Sequence, residues 1–128
     1  MKRYVAFRGE AFQIEWYYDD RGESRALEYA ENELSKIEKA RLLLLFERMG
    51  EYGMIRDKTK FRSEGDGIFA FKPKPHRFLC FFFKGGKIII TNGFKKRQDE
   101  LPVQEKKRAL AIKQAYEHRT YKGEYYEK

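Results

Sequence analysis

Cysteine is nearly missing from this chain of 128 residues: Cys80 stands alone, so neither an internal disulfide nor a cysteine-built zinc cage can form. Long apolar runs are missing too. The longest, Phe78 to Phe83, is far too short to cross a bilayer. No apolar stretch follows the basic Met1–Arg3, so no secretory leader is expected. A reducing, cytoplasmic setting and no membrane partner are the resulting expectations. Repeats and low-complexity segments are absent. No glycine-rich nucleotide loop, nucleophile elbow or set of metal ligands is visible, which argues against kinase, hydrolase and metalloenzyme readings. Neither a metal nor a cofactor is expected.

Acidic residues are missing from one place in particular. Between Gly67 and Gln98 there is no Asp or Glu, where an even spread would put about five. The same stretch holds eight bases, Lys72, Lys74, Arg77, Lys84, Lys87, Lys95, Lys96 and Arg97. An even spread would give about seven, so acids are excluded rather than bases enriched. Elsewhere 20 bases balance 20 acids, and the whole net charge of +8 resides in this segment. Such a segment is the usual footprint of a polyanion-binding surface. A buried sheet that expels acids is the other reading, but burial would expel lysines equally.

What is present fits one domain over residues 1–128 with one hydrophobic core. Hydrophobic residues make up 41% and aromatics 16%, too apolar for a disordered chain. Phe12–Tyr18 reads as a first strand, with Tyr4–Phe7 as a possible forerunner. Asp19-Asp20-Arg21-Gly22 turns the chain into a helical segment with Leu27, Ala30 and Leu34 on one face. Ser35 and Glu38 have the spacing of a capping box, which starts a second helix. There Leu42, Leu45, Phe46 and Met49 form an apolar stripe, and Gly50 or Gly53 ends it. One unbroken helix from Glu23 to Met49 is the alternative, since no Gly or Pro forbids it.

Arg56–Glu64 reads as a polar connector and Ile68–Lys72 as a strand interrupted by Pro73 and Pro75. Arg77–Lys84, apolar on both faces, is expected to be a central strand. The pair Gly85-Gly86 makes a tight hairpin into a strand over Lys87–Thr91. Gly93–Glu100 is expected to be a loop. Pro102 opens a helix reaching about His118, and Tyr121–Lys128 is a loosely held tail. The order predicts a compact α+β domain: N-terminal strand, helix pair, antiparallel meander sheet, C-terminal helix.

From Gly67 to Ala109 the sequence resembles the phage Gp49-like/HigB branch of the RelE-type toxins. That branch carries a glycine, an aromatic strand ending in a basic residue, an arginine opening the next strand, a hairpin, and G-F-x-K-K-x-x-x-x-P before a helix starting P-x-x-E-x-x-x-A. Gly67-Ile68-Phe69-Ala70-Phe71-Lys72 occupies the first element and Arg77–Phe83 the second. Gly93-Phe94-Lys95-Lys96-Arg97 occupies the third, with Pro102, Glu105 and Ala109 in register after it. The spacing from Gly93 to Ala109 is the specific part. Three departures stand out. Lys72 replaces the usual arginine and so lacks the bidentate fork for phosphate. Ala70 stands where an acid is common, and Pro73-Lys74-Pro75 stiffens the link to Arg77.

The resemblance implies a small RelE-like domain that cuts messenger RNA, commonly at the ribosome, without a metal. It also implies a partner antitoxin, acidic or of helix-turn-helix type. Its chemistry is attack of a ribose 2′-hydroxyl on the adjacent phosphorus. That reaction needs a base, stabilisation of charge at phosphorus and an acid for the leaving oxygen. Lys72, His76, Arg77 and Lys96 are the candidate catalytic residues; Arg62, Lys74, Lys95 and Arg97 are the candidate RNA-binding ones. Mutual proximity of Lys72, Lys96 and Arg97 would lower a lysine pKa into a useful range. A solvated basic rim that binds phosphate and does no chemistry is the other reading of the same cluster. Arg77 opens an apolar strand, which suits a phosphate clamp with a fixed stem. His76 is either a proton-transfer group or a loop residue that stacks or hydrogen-bonds. His118 reads as a helix C-terminal cap, and Cys80 as core. Tyr116, Tyr121, Tyr125 and Tyr126 either stack on bases or pack the C-terminal end on the sheet. A non-catalytic RNA- or ribosome-binding module and a protein-targeting toxin are the competing functions.

Overall fold

Local chemistry sets most element boundaries. The structure, a computed structural model, describes residues 2–97 and 100–126. Met1, Gln98 and Asp99 of the expected loop, and Glu127 and Lys128 of the expected tail lie outside the described residues. A 3-10 turn at Lys2–Tyr4 leads into β1 (Val5–Arg8) and β2 (Gln13–Trp16). Then come α1 (Arg25–Glu33) and α2 (Lys36–Tyr52). The rest is β3 (Phe61–Gly65), β4 (Ile68–Phe71), β5 (His76–Phe83), β6 (Lys87–Lys95) and α3 (Val103–Tyr121). Among the described residues no helix is long and apolar enough to cross a membrane.

The helix pair is two helices. The Ser35 hydroxyl accepts from the Glu38 N–H at 3.2 Å, and the Glu38 carboxylate accepts from the Ser35 N–H at 2.8 Å. This reciprocal cap ends any continuation from α1. Gly53, at φ 75°, closes α2 with its N–H on the Met49 carbonyl. Gly50 stays inside the helix for a different reason. A Cβ there would lie 2.4 Å from the Phe7 ring, and one on Gly9 would lie 2.3 Å from the Gly50 backbone. This close approach lets the Gly50 carbonyl accept from the N–H groups of Ala11 and Phe12 at 2.8 and 2.9 Å. The β1–β2 hairpin is thereby fastened to α2.

The six strands run in the order β1-β2-β6-β5-β4-β3. β3 to β6 form the expected antiparallel meander, but β2 lies parallel to β6, so the sheet is mixed. Arg56–Glu64 is not wholly a connector: Phe61–Gly65 pairs with β4, which gives this polar segment a ladder and a buried Phe61. Gly93, Phe94 and Lys95 belong to β6 rather than to a loop, because β5 starts early enough to pair with all three. Pro102 occupies the position just before α3, and its carbonyl accepts from Glu105 and Lys106.

β5 is covered on both faces. Phe78 and Cys80 enter a core with α1, α2, Trp16 and Phe71. Leu79 and Phe81 enter a second core with α3, Ile68, Ala70 and Ile89. One core was expected, and two exist because helices lie on both sides of the sheet. The stripe Leu42, Leu45, Phe46 and Met49 is buried as predicted, with Phe46 edge-on to Trp16 and Phe71. The tail is docked as far as Tyr126. Tyr125 is buried, stacks on Tyr18 and accepts from the Tyr18 N–H, and Tyr126 donates to Glu15 at 2.9 Å. Tyr121 alone of the four tyrosines stands in solvent.

Gly9→Ala should therefore force the hairpin off α2 and cost about 1–3 kcal/mol. A urea midpoint unchanged by this substitution would contradict the close approach.

Candidate nucleic-acid interface

Alternation along β5 decides which side chains meet. Even-numbered residues from Phe78 face α1 and α2, and odd-numbered ones from Leu79 face α3. Extending this to the start of the strand puts His76 and Arg77 on opposite faces of the sheet. The same rule divides Lys95-Lys96-Arg97 at the end of β6. Phe94 is in the α3 core, so Lys96 follows it to that face while Lys95 and Arg97 turn to the other.

On the α3 face a basic cluster forms at one end of the sheet. Arg62 is opposite Ala70 across the β3–β4 ladder, and Glu64 lies 3.5 Å from it. Arg77 is 92% covered, and one guanidinium N–H donates to the His76 carbonyl at 3.1 Å. Lys72, equally covered, donates from Nζ to the Lys58 carbonyl at 2.9 Å. Burial lowers the Lys72 pKa, and the charges of Arg62, Arg77 and Lys96 lower it further, while Glu64 opposes them. Burial likewise lowers that of Arg77, with Glu64 opposing and Arg62 adding to the fall. The expected depression of a lysine pKa thus has other neighbours than expected. Lys96 takes part, but Arg62 and Arg77 replace Arg97. Glu64, from outside the acid-free stretch, enters the cluster with nothing in the sequence to announce it.

On the α1/α2 face His76 is a joint between elements. The Tyr29 hydroxyl lies 2.7 Å from Nδ1, and the Glu38 carboxylate lies 3.1 Å from Nε2. With Nε2–H donating to Glu38, Nδ1 is left to accept from Tyr29. Glu38 holds its charge below the usual carboxylate pKa, chiefly through the Ser35 N–H and then through His76. Burial and the carboxylates of Glu33 and Glu38 push the Tyr29 hydroxyl up to about 12. Arg97 and Lys95 line the cleft beside this triad. The structure therefore does not bring His76 together with Lys72 and Arg77. Lys74 is exposed in the β4–β5 turn, where the Lys74–Pro75 bond is cis. His118 is exposed in the last turn of α3, where its carbonyl accepts from Lys122.

The remaining motif residues hold the frame. Gly93 has no room for a side chain between Phe78 and Tyr29, whereas Phe94 fills the α3 core. The Glu105 carboxylate accepts from Asn92 and from Arg108, each at 2.9 Å, tying α3 to β6. Ala109 is fully buried where α3 meets the sheet.

A mixed sheet between a helix pair and a C-terminal helix, with a basic cluster at the sheet's end, defines a small α+β domain of the RelE-like kind. The chain matches the model of the family described as phage derived protein Gp49-like (DUF891) over residues 32–114, and it belongs to that family. No curated protein matches it.

Titration of Lys72 by NMR should give a midpoint below the ordinary lysine value, about 10.4. Glu64→Gln removes the charge that favours the ammonium and should lower the midpoint further. Arg62→Ala should raise it. A Lys72 midpoint at the ordinary value would mean that the cluster does not act on it.

Proposed function

We propose that the protein is the toxin of a type II toxin–antitoxin pair and acts as a metal-independent endoribonuclease on messenger RNA at the ribosome. The observation that carries this reading is the convergence of Arg62, Arg77 and Lys96 on a lysine whose pKa they help to lower. Membership of the Gp49-like family supports the toxin assignment. In this reading the neutral amine of Lys72 takes the proton of a ribose 2′-hydroxyl as that oxygen attacks the adjacent phosphorus. The bond from phosphorus to the 5′-oxygen breaks, leaving a 2′,3′-cyclic phosphate, and the departing oxygen takes a proton from the Lys96 ammonium. Arg77 and Arg62 stabilise the charge on the phosphorane oxygens, with stems held by the sheet so that little reorganisation is needed. Lys74, Lys95 and Arg97 supply phosphate contacts on the flanks. His76 has no step in this scheme, because its two nitrogens are engaged by Tyr29 and Glu38 on the other face.

Mapping of RNA 5′ ends after induced expression tests the reading, with cleavage leaving 5′-hydroxyl ends. Arg77→Ala should slow cleavage by about 10²–10³. His76→Ala should cost less rate and more stability. Lys72→Arg gives the site the family's usual residue; a rise in cleavage would assign Lys72 to charge stabilisation and remove proton transfer from it. Growth arrest without any RNA cleavage, free or ribosome-bound, would replace the ribonuclease by a protein-targeting toxin. RNA binding with neither cleavage nor arrest would leave a non-catalytic module.

Binding itself should weaken steeply with salt through counterion release. Replacing both Lys96 and Arg97 by Ala should reduce the affinity and flatten that dependence. Binding indifferent to salt would count against a polyanion surface.

A further inference from the structure

The α1/α2 face of the sheet end holds a cleft that the proposed chemistry does not use. It measures about 420 Å³, and His76, Tyr29 and Glu38 line it together with Glu33, Lys95 and Arg97. Glu38 is fixed there by an uneven set of bonds. The Ser35 N–H and His76 Nε2 both reach the same carboxylate oxygen, Oε1, at 2.8 and 3.1 Å. No hydrogen bond from the described residues reaches Oε2. The Ser35 N–H first, and then His76, hold this carboxyl below the usual carboxylate range. It is therefore ionised and can only accept. Its side chain remains 23% exposed, so a carboxylate held by two partners still faces the cleft.

A fixed carboxylate with one uncommitted oxygen selects a ligand by its N–H donors. Glu33 adds a second acceptor to the same lining, and Lys95 and Arg97 add cations suited to a phosphate. Tyr29 and Pro75 contribute ring surface for a flat group. Among the RNA bases only guanine presents a ring N–H and an exocyclic amino group side by side. Adenine and cytosine put a bare ring nitrogen next to the amino group, and uracil flanks its N–H with two carbonyls. Each of those three would turn lone pairs toward the carboxylates and leave them unpaired. We propose that this cleft is a guanine-binding subsite, which takes one unpaired base of the RNA bound at the basic cluster. Lys95, Lys96 and Arg97 divide between the two faces of the sheet, so a strand crossing its end meets cations on both sides. The placement of that base beside the cluster rests on the ribonuclease reading; the preference for guanine does not.

The probes are the four nucleoside 5′-monophosphates, titrated against the full chain by calorimetry at low salt. GMP should bind more tightly than AMP, CMP or UMP by about tenfold or more. Glu38→Gln keeps a carbonyl to accept from Ser35 but turns the uncommitted oxygen into an N–H donor. It should cost GMP about tenfold and bring the four nucleotides close together. Glu33→Ala, at an exposed position, should weaken GMP in the same direction without shifting the thermal midpoint. Hexauridylate with 2′-O-methyl groups, which cannot be cut, tests the RNA itself: exchanging one uridine for guanosine should tighten binding by about tenfold. Equal affinity for the four monophosphates, or no binding of any, overturns the proposal. A GMP preference that survives Glu38→Gln overturns it too. GMP preference with no gain from guanosine in the RNA would make the ligand a free guanine nucleotide and end the RNA subsite. Guanine preference in a protein that cuts no RNA would instead sink the ribonuclease reading and leave the guanine cleft standing.

Discussion

β5 and β6 are buried on both faces, and the rest of the molecule answers to that burial. A strand between two cores must supply apolar side chains at every position along its covered length. Phe78 to Phe81 and Ile88 to Ile90 meet that demand. Charged side chains can leave such a strand only at its end, where the covering helices stop. His76 and Arg77 are at the start of β5, and Lys95 and Lys96 are at or just past the paired end of β6. The basic side chains of Arg77 and Lys96 therefore gather at this end of the sheet, beyond the apolar runs of β5 and β6.

The same pairing contains one irregularity. Register shifts between Leu79 and Cys80, so Thr91 on β6 is an extra residue. Its hydroxyl reaches the Leu79 carbonyl at 3.1 Å and lies close to the Asn92 side chain. A one-residue slip exchanges the faces of everything beyond it. The bulge is what sends Asn92 to Glu105 of α3 and Phe94 into the α3 core. Lys96 consequently joins Arg77 and Lys72 rather than His76.

Buried charge is tolerated where partners surround it. Glu15 is almost wholly covered, yet it accepts from Gln13 at 2.7 Å and from Tyr126 at 2.9 Å, with Lys87 at 3.5 Å. Lys87 also lies 3.7 Å over the Tyr126 ring. Arg119 donates to the Tyr17 hydroxyl and the Tyr18 carbonyl and sits over Tyr125. These contacts turn an aromatic C-terminal segment into part of the second core.

Sequence alone determined the elements whose signals are local. The Ser35/Glu38 cap, the Leu42–Met49 stripe, the two-faced strand from Phe78 and the glycine hairpin each depend on neighbours within a few residues, so they could be read directly. The motif from Gly93 to Ala109 could also be read, and it led to the family. Only the tertiary structure decided matters that depend on distant pairing. β3 was hidden because a polar strand at a sheet edge needs its partner to be recognised. The parallel match of β2 to β6 and the second core needed the path of the whole chain. Within the site, Lys72, Arg77 and Lys96 were legible as bases in an acid-free stretch, but their company was not. Glu64 and Arg62 arrive by strand pairing, while Tyr29 and Glu38 take His76 to the opposite face. Adjacent residues on a strand point apart, so closeness in sequence separated His76 from Arg77 instead of joining them.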